Sequence, residues 1–305
     1  NDRQVGSLTI NAIGDILTGT TKNDSGYEFE YTKLPIANAK FEVYAREDIL
    51  SPDNSGTILY KQYEKIAVGQ TNTEGNAFID NLPIGKYYIQ ETIAGNGFAL
   101  NTKIEEFEIT YDNRAVAVTY TDTEYINERQ KVKIIINNTD KKTGKPVSGG
   151  IFGLYLREEL NYKNGTISAN ELIQTGEANE KGIITFENEL PLAKYYIKQI
   201  KAPNGYATDL TETEINATYE TDQRTLIIKN IDFTNTQTCV KFVAKDVETG
   251  KKLTEMGFLL KDNEGNEITS WISEGDGEFF VYALEAGKNY TIVENIVKPG
   301  YMKEV

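Results

Sequence analysis

The chain has 305 residues, 39% of them hydrophobic and 10% aromatic, and a formal net charge of -14. That charge argues against a nucleic-acid partner, since neutralising phosphates needs clustered Lys and Arg, and reads as a soluble, self-repelling surface. With no histidine and one cysteine, the chain has neither a Ser-His-Asp nor a Cys-His enzyme nor an intrachain disulfide, and no run approaches transmembrane length. Tyrosine (19) outnumbers phenylalanine (12), which suits half-exposed sheets more than a helical core.

The opening Asn1-Asp2-Arg3-Gln4 is nearly repeated by Asn127-Glu128-Arg129-Gln130, so Asn1 reads as the tail of a preceding repeat. A first unit is expected over residues 5–130. Its opening strand, Ser7 to Asn11, leads to a Gly14-Asp15 turn and a polar stretch through Gly26. The run 39–45 alternates as a strand. Residues 48–56 hold Pro52, Asp53, Asn54 and Gly56, a surface loop by turn chemistry, and 69–78 reads as a hairpin. Further strands are expected over 105–111 and 115–126.

A second unit, 131–238, keeps the same order: a strand at 133–136, an Asp140-to-Pro146 turn, Phe152-Gly153-Leu154-Tyr155 matching Phe41-Glu42-Val43-Tyr44, and Lys181-Gly182 matching Glu74-Gly75. A third, 239–305, is short: Asp246-Val247-Glu248-Thr249-Gly250-Lys251 repeats the opening turn and Gly257-Phe258-Leu259-Leu260 the second strand. It stops about thirty residues before the others do, so its closing strands are either cut off or supplied by another segment. Helix evidence is weak, with single turns conceivable at 46–50 and 169–174.

One landmark ties the units together. Leu82-Pro83-Ile84-Gly85-Lys86-Tyr87-Tyr88-Ile89-Gln90-Glu91 returns as 190–199 and more loosely as 284–294, each a tight turn followed by a period-two strand. Each copy is followed by a second turn: Gly95-Asn96-Gly97-Phe98, Ala202-Pro203-Asn204-Gly205-Tyr206, and Lys298-Pro299-Gly300-Tyr301. Many short strands with regular turn signals indicate an all-β chain of tandem sandwiches, the third incomplete.

Together the Asp-x-x-Thr-Gly-Lys turn (Asp140, Asp246), the Phe-x-Leu/Val-Tyr strand, the Leu-Pro-x-Gly-Lys-Tyr-Tyr stretch and the Ala-Pro-x-Gly-Tyr turn resemble the Cna-B/SpaA-type repeat domains of Gram-positive surface proteins and pilins, which have an Ig-like, prealbumin-like sandwich. The resemblance implies stalk or spacer repeats, extracellular and wall-anchored, with neighbouring repeats as partners; the alternative is an adhesin module binding a host protein or glycan through its loops. It implies no enzymatic turnover, cofactor, metal, nucleic acid or membrane insertion.

Many domains of this type lock themselves by an isopeptide bond between a first-strand lysine and a last-strand asparagine, with a buried acid moving the protons. Desolvation suits that chemistry, leaving the amine neutral and the carboxyl protonated. The acid position falls on Glu91, Gln199 and Glu294, and the lysine position on Ala12, Asn138 and Ala244. The acceptors are Asn127 and Asn235. Lys133 and Lys245 lie one residue off, which turns a side chain to the opposite face. The scaffold is therefore expected to be kept and the crosslinking lost, with Glu91 and Glu294 either buried without their partner or partly exposed at a strand end.

Other candidates read as ordinary structure. Glu47, Asp48, Asp53 and Asn54 lack the ligand spacing of a calcium loop. Residues 262–266 read as a hairpin turn. Trp271 reads as packing rather than a glycan platform, Cys239 as a buried small residue, and Asn164-Gly165-Thr166 carries little weight in a bacterial surface protein.

Overall fold

The computed structural model of the chain describes residues 4–111, 118–187 and 189–302. The start of the strand expected over 115–126, and residues 1–3 and 303–305, lie outside them. Every regular element described is a strand. The turns conceivable as helix at 46–50 and 169–174 instead lead into strands, and no helix is long and apolar enough to cross a membrane.

The first ten strands are β1 (Val5–Asn23), β2 (Gly26–Pro35), β3 (Lys40–Ala45), β4 (Ile49–Leu50), β5 (Ile58–Tyr60), β6 (Lys65–Gln70), β7 (Asn76–Leu82), β8 (Gly85–Ile93), β9 (Ile104–Ile109) and β10 (Val118–Asn127). One sheet holds β7, β1 and β10; the facing sheet runs β6-β3-β8-β9. Alternate residues of β3 and β8 are buried, as period-two strands with one covered face require. The second unit repeats this with β11 (Lys131–Asp140), β12 (Ile151–Leu156), β13 (Leu160–Tyr162), β14 (Gly165–Ile167), β15 (Leu172–Glu177), β16 (Ile183–Phe186), β17 (Ala193–Lys201), β18 (Thr213–Ala217) and β19 (Leu226–Asn235). Its sheets are β16-β11-β19 and β15-β12-β17-β18. The third has β20 (Cys239–Val243), β21 (Gly257–Lys261), β22 (Glu267–Ile272), β23 (Glu278–Tyr282) and β24 (Thr291–Ile296), in sheets β20-β23 and β22-β21-β24. Among the described residues it has no counterpart of β9/β18 or of β10/β19.

Three hydrophobic clusters fill the sandwiches. The first runs from Leu8 to Tyr125, the second from Val132 to Phe233, and the third holds Leu260, Trp271, Val281 and Leu284. Trp271 is buried and stacks on Phe279 with ring centres 4.5 Å apart. In the repeated stretch, the first tyrosine is buried and its hydroxyl donates to the carbonyl of the residue that follows the leucine: Tyr87 to Pro83 at 2.5 Å, Tyr195 to Pro191 at 2.6 Å. Tyr290 does the same to Glu285 at 3.3 Å, across one extra residue. The ring fills core while its hydroxyl satisfies a turn carbonyl, which explains the recurring turn-then-tyrosine spacing.

The structure departs from three sequence expectations. The turn at 72–76 is not a hairpin: β6 pairs with β3 and β7 with β1, so it carries the chain from one sheet to the other. Cys239 is exposed, not buried, because β20 is a sheet edge. And β1 does not turn at Gly14-Asp15. It continues to Asn23 and folds back as β2, with a bulge between Leu17 and Gly19. Gly14 answers a packing need instead, since a Cβ there would lie 2.5 Å from the Phe98 ring.

That long hairpin reaches the second unit. Gly26 pairs with Gln174 of β15, so one eight-stranded sheet, β10-β1-β2-β15-β12-β17-β18 with β7 beside β1, crosses the boundary between units. Tyr27 and Phe29 pack against the second cluster. The buried Arg129 guanidinium lies 3.8 Å from the centre of the Tyr31 ring and pairs with Glu189, whose carbonyl accepts from the Tyr31 hydroxyl at 2.8 Å. The junctions themselves are pinned by the second repeated turn. Gln130 N–H donates to Gly97 O (2.8 Å) and Thr238 N–H to Gly205 O (3.0 Å), while Ala99 and Ala207 N–H donate to the carbonyls of Glu128 and Thr236.

The hairpin contact depends on one glycine. Gly26 has φ of +130°, and a Cβ there would sit 1.9 Å from the Ile173 carbonyl oxygen. Gly26→Ala is expected to lift the hairpin off β15, and amide hydrogen exchange checks this at Thr175, whose N–H donates to Ser25 O at 3.2 Å. Faster exchange there with an intact second core is the expected result; unchanged exchange would mean the junction is held without this contact.

Candidate functional site

The candidate site in each unit lies where the first strand, the closing strand and the end of the Tyr-x-Ile strand meet. Parallel pairing sets the first two in register: Ala12 opposite Tyr125 and Gly14 opposite Asn127 in the first unit, Asn138 opposite Phe233 and Asp140 opposite Asn235 in the second. Ala12, Asn138 and Ala244 make the same two backbone hydrogen bonds. Their N–H groups donate to Gly75, Gly182 and Gly277 carbonyls at 2.8, 2.7 and 3.0 Å. Their carbonyls accept from Ile36, Val147 and Leu253 at 2.8, 2.9 and 2.9 Å. Those three glycines end the sheet-crossing turns at positive φ. Glu91, Gln199 and Glu294 are equivalent too. Each faces the phenylalanine of the second strand (Phe41, Phe152, Phe258), directly after a one-residue register shift. The two off-slot lysines point elsewhere: Lys133 pairs with Glu187 at 2.6 Å and Lys245 is exposed.

In the second unit the three side chains form a closed series of neutral hydrogen bonds. Gln199 Oε1 accepts from Asp209 N–H (2.9 Å), and its Nε2 donates to Asn235 Oδ1 (2.9 Å). Asn235 Nδ2 donates to Asn138 Oδ1 (2.6 Å) and Thr139 O (3.1 Å). Asn138 Nδ2 donates to Val147 O (2.8 Å). All three are at most 1% exposed. Each bond contributes roughly 1 kcal/mol net, and a missing partner at such depth would cost more than that. None of the three groups is a nucleophile or an acid near neutral pH, so the arrangement positions strands and does no proton transfer.

The first unit has a carboxyl in the same place. Glu91 is buried, 4% exposed. Its Oε2 accepts from Asn101 N–H and from Asn127 Nδ2, both at 2.7 Å, and Asn127 Nδ2 also donates to Ala99 O at 3.1 Å. Glu91 Oε1 and Asn127 Oδ1 are buried without a donor, the cost that follows when an ionisable group is enclosed beside an alanine. Burial pushes the Glu91 carboxyl up to about 7; the Asn101 and Asn127 hydrogen bonds hold it down, and the Asp222 carboxylate from the second unit adds a smaller upward push. In the third unit Glu294 is half-buried on the wall of a cleft of about 390 Å³ that also takes in Ala244. Of the two outcomes left open for the carboxyls, Glu91 shows the buried one and Glu294 the partly exposed one.

The acidic loop of the first unit is occupied by turn contacts. Asp48 accepts from Gln62 N–H (2.8 Å), Asp53 from Ser55 N–H (3.0 Å), and Glu47 pairs with Lys86 at 3.6 Å. Among the described residues no three metal-capable side chains converge.

The sequence matches the SpaA prealbumin-like fold domain three times, over residues 23–124, 132–232 and 238–305. The chain belongs to that family. Among solved structures it is similar to the Bacillus anthracis TIE protein, at 22% identity and a TM-score of 0.65, over 99% of this chain and 47% of that one. It thus spans about half the length of that relative, and the likeness shows a shared fold. It also matches BcpA, the major pilin subunit of Bacillus cereus, at 14% identity over 95% of this chain and 88% of that one, TM-score 0.42. A third match is a D295N mutant of the shaft pilin SpaA of Lactobacillus rhamnosus GG, at 15% identity over 77% of this chain and 100% of that one, TM-score 0.29. These two overlaps are too loose to bear on how the units are arranged. Comparison with curated proteins found no match.

The SpaA-type units differ at one atom pair, the acid or amide of Glu91 and Gln199, and this sets a pH test. A carboxyl whose folded pKa is raised to about 7 binds its proton more tightly when folded. Its contribution is therefore fully present below the ordinary carboxylate range and is lost as pH rises through about 7. Glu91→Gln copies the second unit's solution and is expected to remove this slope. It should stabilise the first unit at pH 8 by about 2–3 kcal/mol, the free energy of a pKa raised by two units. Urea unfolding across pH 5 to 8 measures it; a variant that keeps the slope, or is weaker at pH 8, would contradict the assignment.

Proposed function

We propose that this chain is a stalk or spacer segment of a cell-wall-anchored, extracellular Gram-positive surface protein or pilin, holding an adhesive region away from the cell and performing no catalysis. The observation that carries the reading is the sheet that runs unbroken from the first unit into the second. A spacer must transmit orientation and force. A shared sheet, a buried Arg129 on Tyr31 and hydrogen-bonded junctions do that where a flexible linker would not. Three units of one family in tandem, and pilins among the similar structures, support the same role.

We further propose that the family's self-crosslinking is lost here. Alanine has no amine to attack an amide. In the second unit both the lysine slot and the acid slot hold amides that hydrogen-bond one another through Asn235. The first unit keeps the Glu91–Asn127 pair at 2.7 Å with only the amine missing.

Force spectroscopy of single molecules tests both statements. Without covalent locks, each unit is expected to extend to its full contour length once unfolded. Ala12→Lys should restore an amine beside Glu91 and Asn127, since the side chain at the equivalent Asn138 reaches Asn235 at 2.6 Å. That variant should then resist extension between its first and closing strands. A unit of the unaltered chain that refuses to extend would overturn the loss of crosslinking. A lysine variant that extends like the parent would overturn the slot assignment.

A further inference from the structure

We infer that the third unit is a strand acceptor: the free edge of β20 takes a parallel β-strand of the pattern aromatic-x-Asn, supplied by a peptide segment from outside the described residues. In the first two units the strand equivalent to β20 has neighbours on both sides. β1 lies between β7 and β10, and β11 between β16 and β19, the last of each being parallel. β20 pairs only with β23 among the described strands. Its other edge offers a row of backbone donors and acceptors in the place where the sister units carry ten-residue strands.

The side chains around that edge show what is missing. Ile292 occupies the position of Ile89 and Ile197; those two are 0% and 1% exposed, whereas Ile292 is 44% exposed. Phe258 takes the place of Phe41 and Phe152. Each of those meets an aromatic ring of the closing strand edge-on at 4.8 Å: Tyr125 on Phe41 and Phe233 on Phe152. Two residues further on, Asn127 and Asn235 meet the acid-slot side chain. In the third unit the space between Ala244, Phe258, Ile292 and Glu294 is an open cleft of about 390 Å³. An aromatic residue in register with Ala244 would cover Phe258 and Ile292, and an asparagine two residues later would reach Glu294. The last repeated turn also waits for its strand. Tyr301 is 41% exposed, while its counterpart Phe98 is 7% exposed beneath the outgoing chain. The occupant is therefore specified by direction, register and two side chains, and not by apolar character alone.

The test uses the whole chain and a synthetic peptide of residues 226–235, Leu-Ile-Ile-Lys-Asn-Ile-Asp-Phe-Thr-Asn, which is the closing strand of the second unit. The expected result is saturable binding with slowed amide exchange over 239–243. Binding should weaken by roughly tenfold or more when the peptide carries Phe233→Ala, the loss of a buried aromatic anchor. A peptide of the same composition in scrambled order should leave β20 unprotected. Absence of protection at millimolar peptide would overturn the proposal. So would protection that depends on the concentration of the chain itself, because a second copy would then be the occupant.

Discussion

Enclosing polar side chains between two sheets is the constraint on which the rest of this structure depends. Each complete unit closes by laying its last strand parallel to its first, which brings an asparagine amide against the end of the Tyr-x-Ile strand, at most 2% exposed. At that depth a polar group either finds a partner or destabilises the unit by an amount comparable to a whole hydrogen bond. The two complete units solve this differently. The second joins Gln199, Asn235 and Asn138 in a series with no unmatched atom among the three. The first keeps a carboxyl, loses the partner that would have completed the set, and holds two acceptors without donors. A raised carboxyl pKa in the first unit and an uncharged amide relay in the second follow from one enclosure filled with different atoms.

The same enclosure accounts for the shape of the assembly. Because the closing strand ends in the core, the chain leaving it passes directly beneath the Gly-aromatic turn, which fixes the next unit's first residues. The β1–β2 hairpin adds a second, lateral contact by extending one sheet across the boundary. Where the closing strand is absent among the described residues, both effects fade: Ile292 and Tyr301 stand exposed and β20 is an open edge. Core, junction and site are one feature seen from three sides.

Much of this was legible in the sequence because the chain carries its own comparison. Three copies of one pattern placed Ala12, Asn138 and Ala244 on a common position, and Glu91, Gln199 and Glu294 on another, and the backbone hydrogen bonds put each trio in equivalent surroundings. What stayed illegible depended on partners distant in sequence. Period two marks a strand without naming its neighbour, so 69–78 looked like a hairpin although its halves belong to opposite sheets. Gly14-Asp15 carried the chemistry of a turn, but the glycine is there to admit the Phe98 ring. Cys239 had the usual profile of a buried thiol and is exposed because no strand covers its edge. The hairpin that joins two units had no counterpart in the other repeats and so gave no repeated signal.

The central claim is that this rod is held by packing and hydrogen bonds alone, with no covalent bond inside any unit. The intact mass of the purified chain under denaturing conditions tests it most directly, because each isopeptide bond releases one ammonia. The account predicts a mass equal to that of the unmodified sequence. A mass short by one or more ammonias would contradict it, and would mean that some lysine other than a first-strand slot residue has reached Asn127 or Asn235.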